Sequence, residues 1–104
     1  MSWDIDVSEK LYQRLANEIF FRILHSKYRT GDKMPSYTEL AKEAGSSPET
    51  VRKAFRELQH YGVIEKMRRG YFVTADEAVV MAYRQQYLTT IEKKYLVAKA
   101  KVEI

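Results

Sequence analysis

The sequence predicts a mainly α-helical fold with one small β-hairpin, in the order helix, helix, helix, hairpin, long helix. Three observations carry this expectation. Apolar residues recur at helical spacing from Leu11 to Leu24 and again from Met81 to Val102. Two serine-led capping signals open short helices between them. Two short apolar runs flank an Arg-Arg-Gly turn. The chain has 104 residues, 45% hydrophobic and 31% charged, which allows one modest core and an appended element.

In the first helix Leu11, Leu15, Ile19 and Ile23 form one i,i+4 row, and Tyr12, Ala16, Phe20 and Leu24 form the adjoining one. Two rows side by side predict a wide buried face. His25 falls at the C-terminal end, where a hydrogen-bond donor suits the helix dipole. The pattern runs out before Tyr28-Arg29-Thr30-Gly31-Asp32, with Gly31 and Asp32 marking a turn. Ser36 is placed to cap a second helix, with Glu39 at capping-box spacing. Leu40, Ala41 and Ala44 form its inner face, and Gly45 ends it by tolerating a left-handed conformation. Ser47 caps a third helix and Pro48 occupies its first position, where a missing N–H costs nothing. Val51, Ala54, Phe55 and Leu58 face inward and Gly62 closes the helix. Glu49, Arg52, Lys53, Arg56, Glu57 and His60 make the outward face.

Val63 to Met67 reads as a strand, Arg68-Arg69-Gly70 as a tight turn, and Tyr71-Phe72-Val73 as the returning strand. Thr74 and Glu77 repeat the capping-box spacing, so a last helix is expected from there nearly to the end. In it Met81, Leu88, Ile91, Tyr95, Ala98 and Val102 form a coiled-coil-like stripe, interrupted once by Arg84. The helical pattern still runs at Ile104, which leaves room for the natural protein to continue. Residues 1–74 are thus expected to form one unit and residues 75–104 a helical tail.

Composition narrows the function. No run of ~18 apolar residues exists, so no membrane-spanning helix and no membrane partner are expected. Met1-Ser2-Trp3-Asp4-Ile5-Asp6 is acidic and lacks an apolar signal core, which argues against export. The absence of cysteine removes disulfides, thiolate catalysis and thiolate metal sites, and it fits a reducing cytoplasm. His25 and His60 lie on different helices, with no nearby nucleophile or metal-ligand spacing, and there is no phosphate-binding glycine loop. An enzyme is therefore not expected, nor a cofactor or metal. A net charge of +4 favours nucleic acid or anionic lipid as partner.

Three helices followed by a hairpin make a winged helix-turn-helix, whose second motif helix enters the major groove led by its N-terminal residues. Here those residues are Ser47, Pro48, Glu49 and Thr50, followed by Arg52, Lys53 and Arg56. Hydroxyls and a helix N-terminus suit phosphate. Arg52 has the reach for a bidentate guanine contact, whereas Lys53 and Arg56 suit phosphate. Glu49 can accept from cytosine, orient an arginine or serve the helix dipole. Lys66, Arg68 and Arg69 around Gly70 suit backbone or minor-groove contact at the wing tip. Ser36 and Tyr37 begin the helix that crosses the phosphates. The same cations also fit a solvated helix face with Glu49 and Glu57 as partners, and winged helices also serve as protein–protein adaptors. The arginines' coincidence on recognition helix and wing favours DNA, since an adaptor does not require it.

The order and spacing of Gly31-Asp32-Lys33-Met34-Pro35-Ser36, Glu39-Leu40-Ala41, Thr50-Val51-Arg52-Lys53-Ala54, Leu58, Gly62-Val63-Ile64 and Arg69-Gly70-Tyr71-Phe72-Val73 resemble the N-terminal domain of GntR-type regulators. The resemblance covers roughly residues 8 to 74. Ser47-Pro48-Glu49-Thr50-Val51 and the short tail look most like the YtrA subfamily, which pairs through a small C-terminal helical region. The resemblance implies a transcription regulator, by the family's common mode a repressor, that binds a two-fold symmetric operator as a homodimer. It places DNA contacts at Ser36, the opening of the recognition helix, Arg52 and Gly70. Thr38 and Pro48 stand where many members carry arginine, and the wing is short, so the operator sequence is not carried over. The stripe through Met81, Arg84, Leu88, Ile91, Tyr95 and Ala98 is expected to pair with a second copy. Folding back on its own domain is the alternative. Tyr83, Tyr87 and Tyr95 suit either packing or a small-ligand pocket, and no effector is specified.

Overall fold

The computed structural model describes residues 7–103, with side chains from Leu11 onward, so the acidic N-terminal run lies outside the described residues. Four helices and one hairpin follow in the expected order: α1 (Val7–Leu24), α2 (Tyr37–Ala44), α3 (Pro48–His60), β1 (Ile64–Met67), β2 (Gly70–Val73) and α4 (Glu77–Val102).

Helix α1 crosses α3 and buries Ala16, Ile19, Phe20 and Ile23. The other end of the predicted row departs from expectation: Leu11 is 49% exposed, because α1 continues past the edge of the core. Cap chemistry sets the next two helices as expected. The Ser36 hydroxyl accepts from the Glu39 N–H at 3.1 Å, and the Ser47 hydroxyl accepts from the Thr50 N–H at 3.2 Å. At the end of α3 the Val63 N–H reaches back to the Leu58 carbonyl at 3.0 Å, with Gly62 at φ 78° making the reversal. Leu40 and Ala41 of α2 are buried, but Ala44, expected on the inner face, is exposed.

Phe20, Phe55, Leu58, Val51 and Val63 are fully buried, and Val73 seals the hairpin against them. Burial of such side chains contributes about 1.5–3 kcal/mol each, which makes this cluster the main source of stability. A second tie lies outside it. Arg22 of α1 donates to Glu43 of α2 at 2.8 Å and to the Tyr28 hydroxyl at 3.2 Å. These bonds, with Tyr28 first, hold the Arg22 guanidinium in its charged form still more firmly than usual.

The strands are antiparallel, with Ile64 opposite Val73 and Met67 opposite Gly70. The loop before α2 adds a third rung that the sequence did not announce. Lys33 bridges to Phe72, the Met34 N–H donates to Tyr71 O at 2.7 Å, and the Val73 N–H donates to Asp32 O at 2.8 Å. Met34 is buried by this pairing.

The start of α4 corrects a third expectation. The N-cap is Asp76, whose carboxylate accepts from the Ala78 N–H at 2.9 Å, rather than Thr74. The Thr74 N–H is still bonded to Val63 O at 2.9 Å, so its backbone belongs to the hairpin, and its hydroxyl accepts from the Asp76 N–H at 3.1 Å.

Helix α4 packs on its own domain through its first three turns only. Val80 is buried, Tyr83 meets Phe20 edge-on at 4.6 Å, and Tyr87 meets Phe21 at 5.6 Å. Burial, then Glu57, Tyr61 and Tyr87, push the Tyr83 phenol up to about 12. A tyrosine in the unfolded chain titrates near 10, so stability from this group is intact below about pH 10 and is lost as pH rises toward about 12. Melting temperatures taken from about pH 9 to about pH 12 should therefore fall less steeply for Tyr83→Phe than for the parent chain.

Candidate nucleic-acid interface

The candidate interface is built by two helix N-termini and the wing. At the opening of α3, Ser47, Pro48 and Glu49 are exposed and Thr50 is half-buried. The Ser47 and Thr50 hydroxyls lie 2.8 Å apart, so one donates to the other and the remaining lone pairs and N–H groups point outward at the dipole's positive end. Removing this cap by Ser47→Ala is expected to cost about 1 kcal/mol in denaturant unfolding.

One turn on, Arg52, Lys53 and Arg56 are all exposed. Arg52 reaches Glu49 at 3.9 Å, a long and solvated ion pair that orients the guanidinium without holding it tightly. Glu49 is thereby placed as the orienting partner of Arg52. Among the described residues Lys53 and Arg56 make no ion pair, and both are free to meet phosphate.

The wing supplies the other half. Arg68 and Arg69 form the two-residue turn between Met67 and Gly70, and of these four only Gly70 carries a positive φ, at 127°. This backbone conformation strains any side-chain-bearing residue, which explains a glycine directly after two arginines. The Lys66 ammonium sits 5.9 Å from the Tyr71 ring centroid, and Tyr71 meets Phe55 of α3 edge-on at 4.9 Å. The wing is thus locked to the recognition helix through one aromatic pair.

Between the start of α2 and the wing lies an open hollow of about 670 Å³, lined by Ser36, Tyr37, Lys33, Lys66, Arg68 and Arg69 among others. Glu39 is the one carboxylate in its lining. The structure therefore brings Ser36 and Tyr37 together with the wing tip, while Ser47, Pro48, Glu49, Thr50, Arg52, Lys53 and Arg56 occupy the neighbouring face of α3. Thr38 is exposed on the first turn of α2. Lys33 is a member that sequence reasoning missed. Its side chain lies against the wing, 3.4 Å from where a Cβ on Gly70 would stand. Three successive polar-flanked residues before a proline carry no strand signal, and only the bridge to Phe72 reveals the position.

Fold and surface together define a winged helix-turn-helix of the class found in transcription regulators. Residues 11–73 match the gntR family of bacterial regulatory proteins, and the chain belongs to that family. It is a family of regulators, not of enzymes. Two relatives come from Bacillus subtilis. The uncharacterized regulator YhcF is 30% identical over 74 residues, 70% of this chain and 61% of the relative. The transcriptional repressor YtrA is 29% identical over 94 residues, 89% of this chain and 72% of the relative. The chain thus spans about three-fifths of the length of YhcF. Among solved structures, a GntR family regulator from Listeria monocytogenes superposes with a TM-score of 0.79 at 24% identity, over 94% of this chain and 87% of that one. The AraR DNA-binding domain in complex with operator ORR3 superposes with a TM-score of 0.58 at 31% identity, over 62% of this chain and 78% of that one.

Proposed function

We propose that this chain is a sequence-specific DNA-binding regulator that represses transcription in the cytoplasm, acting as a homodimer on a two-fold symmetric operator. One observation carries the reading. The exposed cations fall on the two elements that a winged helix presents to DNA, and an edge-on contact between buried Phe55 and half-buried Tyr71 fixes those elements to each other. Residues 1–74 supply the DNA-binding unit. Within it Arg52 reads a base from the major groove, Lys53 and Arg56 grip phosphate, and Arg68 and Arg69 follow the backbone beside the wing. Residues 75–104 supply dimerisation, through the exposed stripe of Met81, Leu88, Ile91 and Tyr95, with Arg84 among them and Ala98 following Tyr95. The likeness to an operator-bound domain supports the DNA contacts. The likeness to a named repressor supports the direction of regulation. Among the described residues no helix is long and apolar enough to cross a membrane.

Fluorescence anisotropy with duplex DNA from the regulator's own promoter, against a scrambled duplex and across a salt series, tests this directly. Tighter binding to the promoter that weakens steeply with salt is the expected result. No preference there, followed by an empty genome-wide fragment selection, would overturn sequence-specific binding.

A further inference from the structure

A cavity of about 180 Å³ separates α4 from α1 and the end of α3, on the side away from the wing. Its walls come in pairs one helical turn apart. Glu57 and Tyr61 descend from α3, Tyr83 and Tyr87 from α4, and Gln13 and Asn17 of α1 form the floor. The rings are held rather than loose: Tyr83 is fixed edge-on against Phe20 at 4.6 Å and against Tyr61 at 5.2 Å, and Tyr87 is fixed against Phe21.

The lining carries one carboxylate, Glu57, together with the amide and hydroxyl groups of Gln13, Asn17, Gln86 and Thr90. Among the described residues Glu57 has no ion pair, and the hydroxyls of Tyr61, Tyr83 and Tyr87 make no hydrogen bond. Glu57, Tyr61 and Tyr87 all bear on the Tyr83 phenol and oppose its ionisation, which places the carboxylate and the three phenols in one neighbourhood. Around Glu57 the cavity thus has a half-buried carboxylate among neutral phenols, an anionic group with aromatic walls. Lys94, whose backbone lies about 16 Å along α4 from that of Tyr83, is the one cation in the lining.

We propose that this cavity binds a small protonated primary amine. Its ammonium group donates to the Glu57 carboxylate and to phenol oxygens of Tyr61, Tyr83 and Tyr87, and its short apolar chain lies along Ala16 and the tyrosine rings. A primary ammonium has three donors and no acceptor, which suits a carboxylate surrounded by phenol oxygens. The four residues that hold it lie outside the Met81–Ala98 stripe, and Ile91 is the stripe residue that also borders the cavity. The site rests on the fold alone and stands whether or not the chain binds DNA.

Isothermal titration calorimetry of the 104-residue chain at neutral pH with n-butylamine, against its neutral isostere 1-butanol, tests the proposal. Butylammonium is expected to bind at least about tenfold more tightly than butanol. Glu57→Gln is expected to weaken the amine about tenfold or more while leaving butanol and the melting temperature unchanged. Equal binding of amine and alcohol would reduce the cavity to an apolar gap and overturn the assignment. So would an amine affinity unchanged in Glu57→Gln, or no detectable amine binding up to about 10 mM. Tyr61→Phe, which removes one acceptor and keeps the ring, gives a second readout: a several-fold loss for the amine alone is expected, and no loss counts against the site.

Discussion

Replacing Leu88 and Tyr95 together by glutamate is expected to convert the chain to a monomer and to lower operator affinity by roughly 100- to 10,000-fold. The two positions are one heptad apart on α4, and in the single chain they are 43% and 62% exposed. Neither contributes to the core that α1, α3 and the hairpin enclose, so the folded unit survives the change. Two carboxylates on a pairing seam have to be desolvated against their own copies, which disfavours the paired state strongly. A monomer then binds each half-site alone and loses the gain in effective concentration that a tethered second site supplies. Sedimentation velocity and anisotropy, run on the same preparation, separate the two consequences. A variant that remains dimeric would remove the α4 stripe as the pairing surface. A monomer with undiminished affinity would remove the need for pairing.

Arg52→Ala is expected to weaken binding to the cognate site by about 1–3 kcal/mol, or roughly five- to 150-fold, and to weaken a random duplex far less. The expectation follows from position and from company. Arg52 stands one turn into α3, is half exposed, and is oriented by Glu49 at 3.9 Å without being neutralised by a tight bond. A bidentate base contact supplies discrimination, and its loss appears only where the correct base is present. Arg69→Ala is expected to weaken both duplexes alike and to lower the salt slope by about one, since a wing-turn guanidinium meets backbone rather than base. Equal losses for both variants on both duplexes would remove Arg52 as a base reader.

The parts of this fold that were legible in the sequence are those set by local chemistry. Ser36 and Ser47 each signal a helix start because the cap bond spans only three residues, and both bonds form as expected. Thr74 and Asp76 are both good caps, and local chemistry alone does not choose between them. The choice is tertiary: pairing of Thr74 with Val63 keeps its backbone in the hairpin and leaves the start of α4 to Asp76. Leu11 illustrates the same limit, since periodicity identifies a helix face but not where the core beneath it stops. The site divides likewise. Residues on α3 and at the wing turn are readable from charge and motif order, whereas Lys33 joins them only through a bridge to Phe72 far along the chain.

That bridge also governs the order in which the molecule assembles. Lys33 and Phe72 are roughly forty positions apart, and closing a loop of that length costs entropy before any contact returns it. The intervening segment contains α2 and α3, whose local bonds and shared packing shorten the search. The tie between the wing and the segment before α2 is therefore expected to form after the helices have docked. The cationic tip is expected to come into register with the start of α2 only at that step, so that a partly unfolded chain presents an incomplete basic surface.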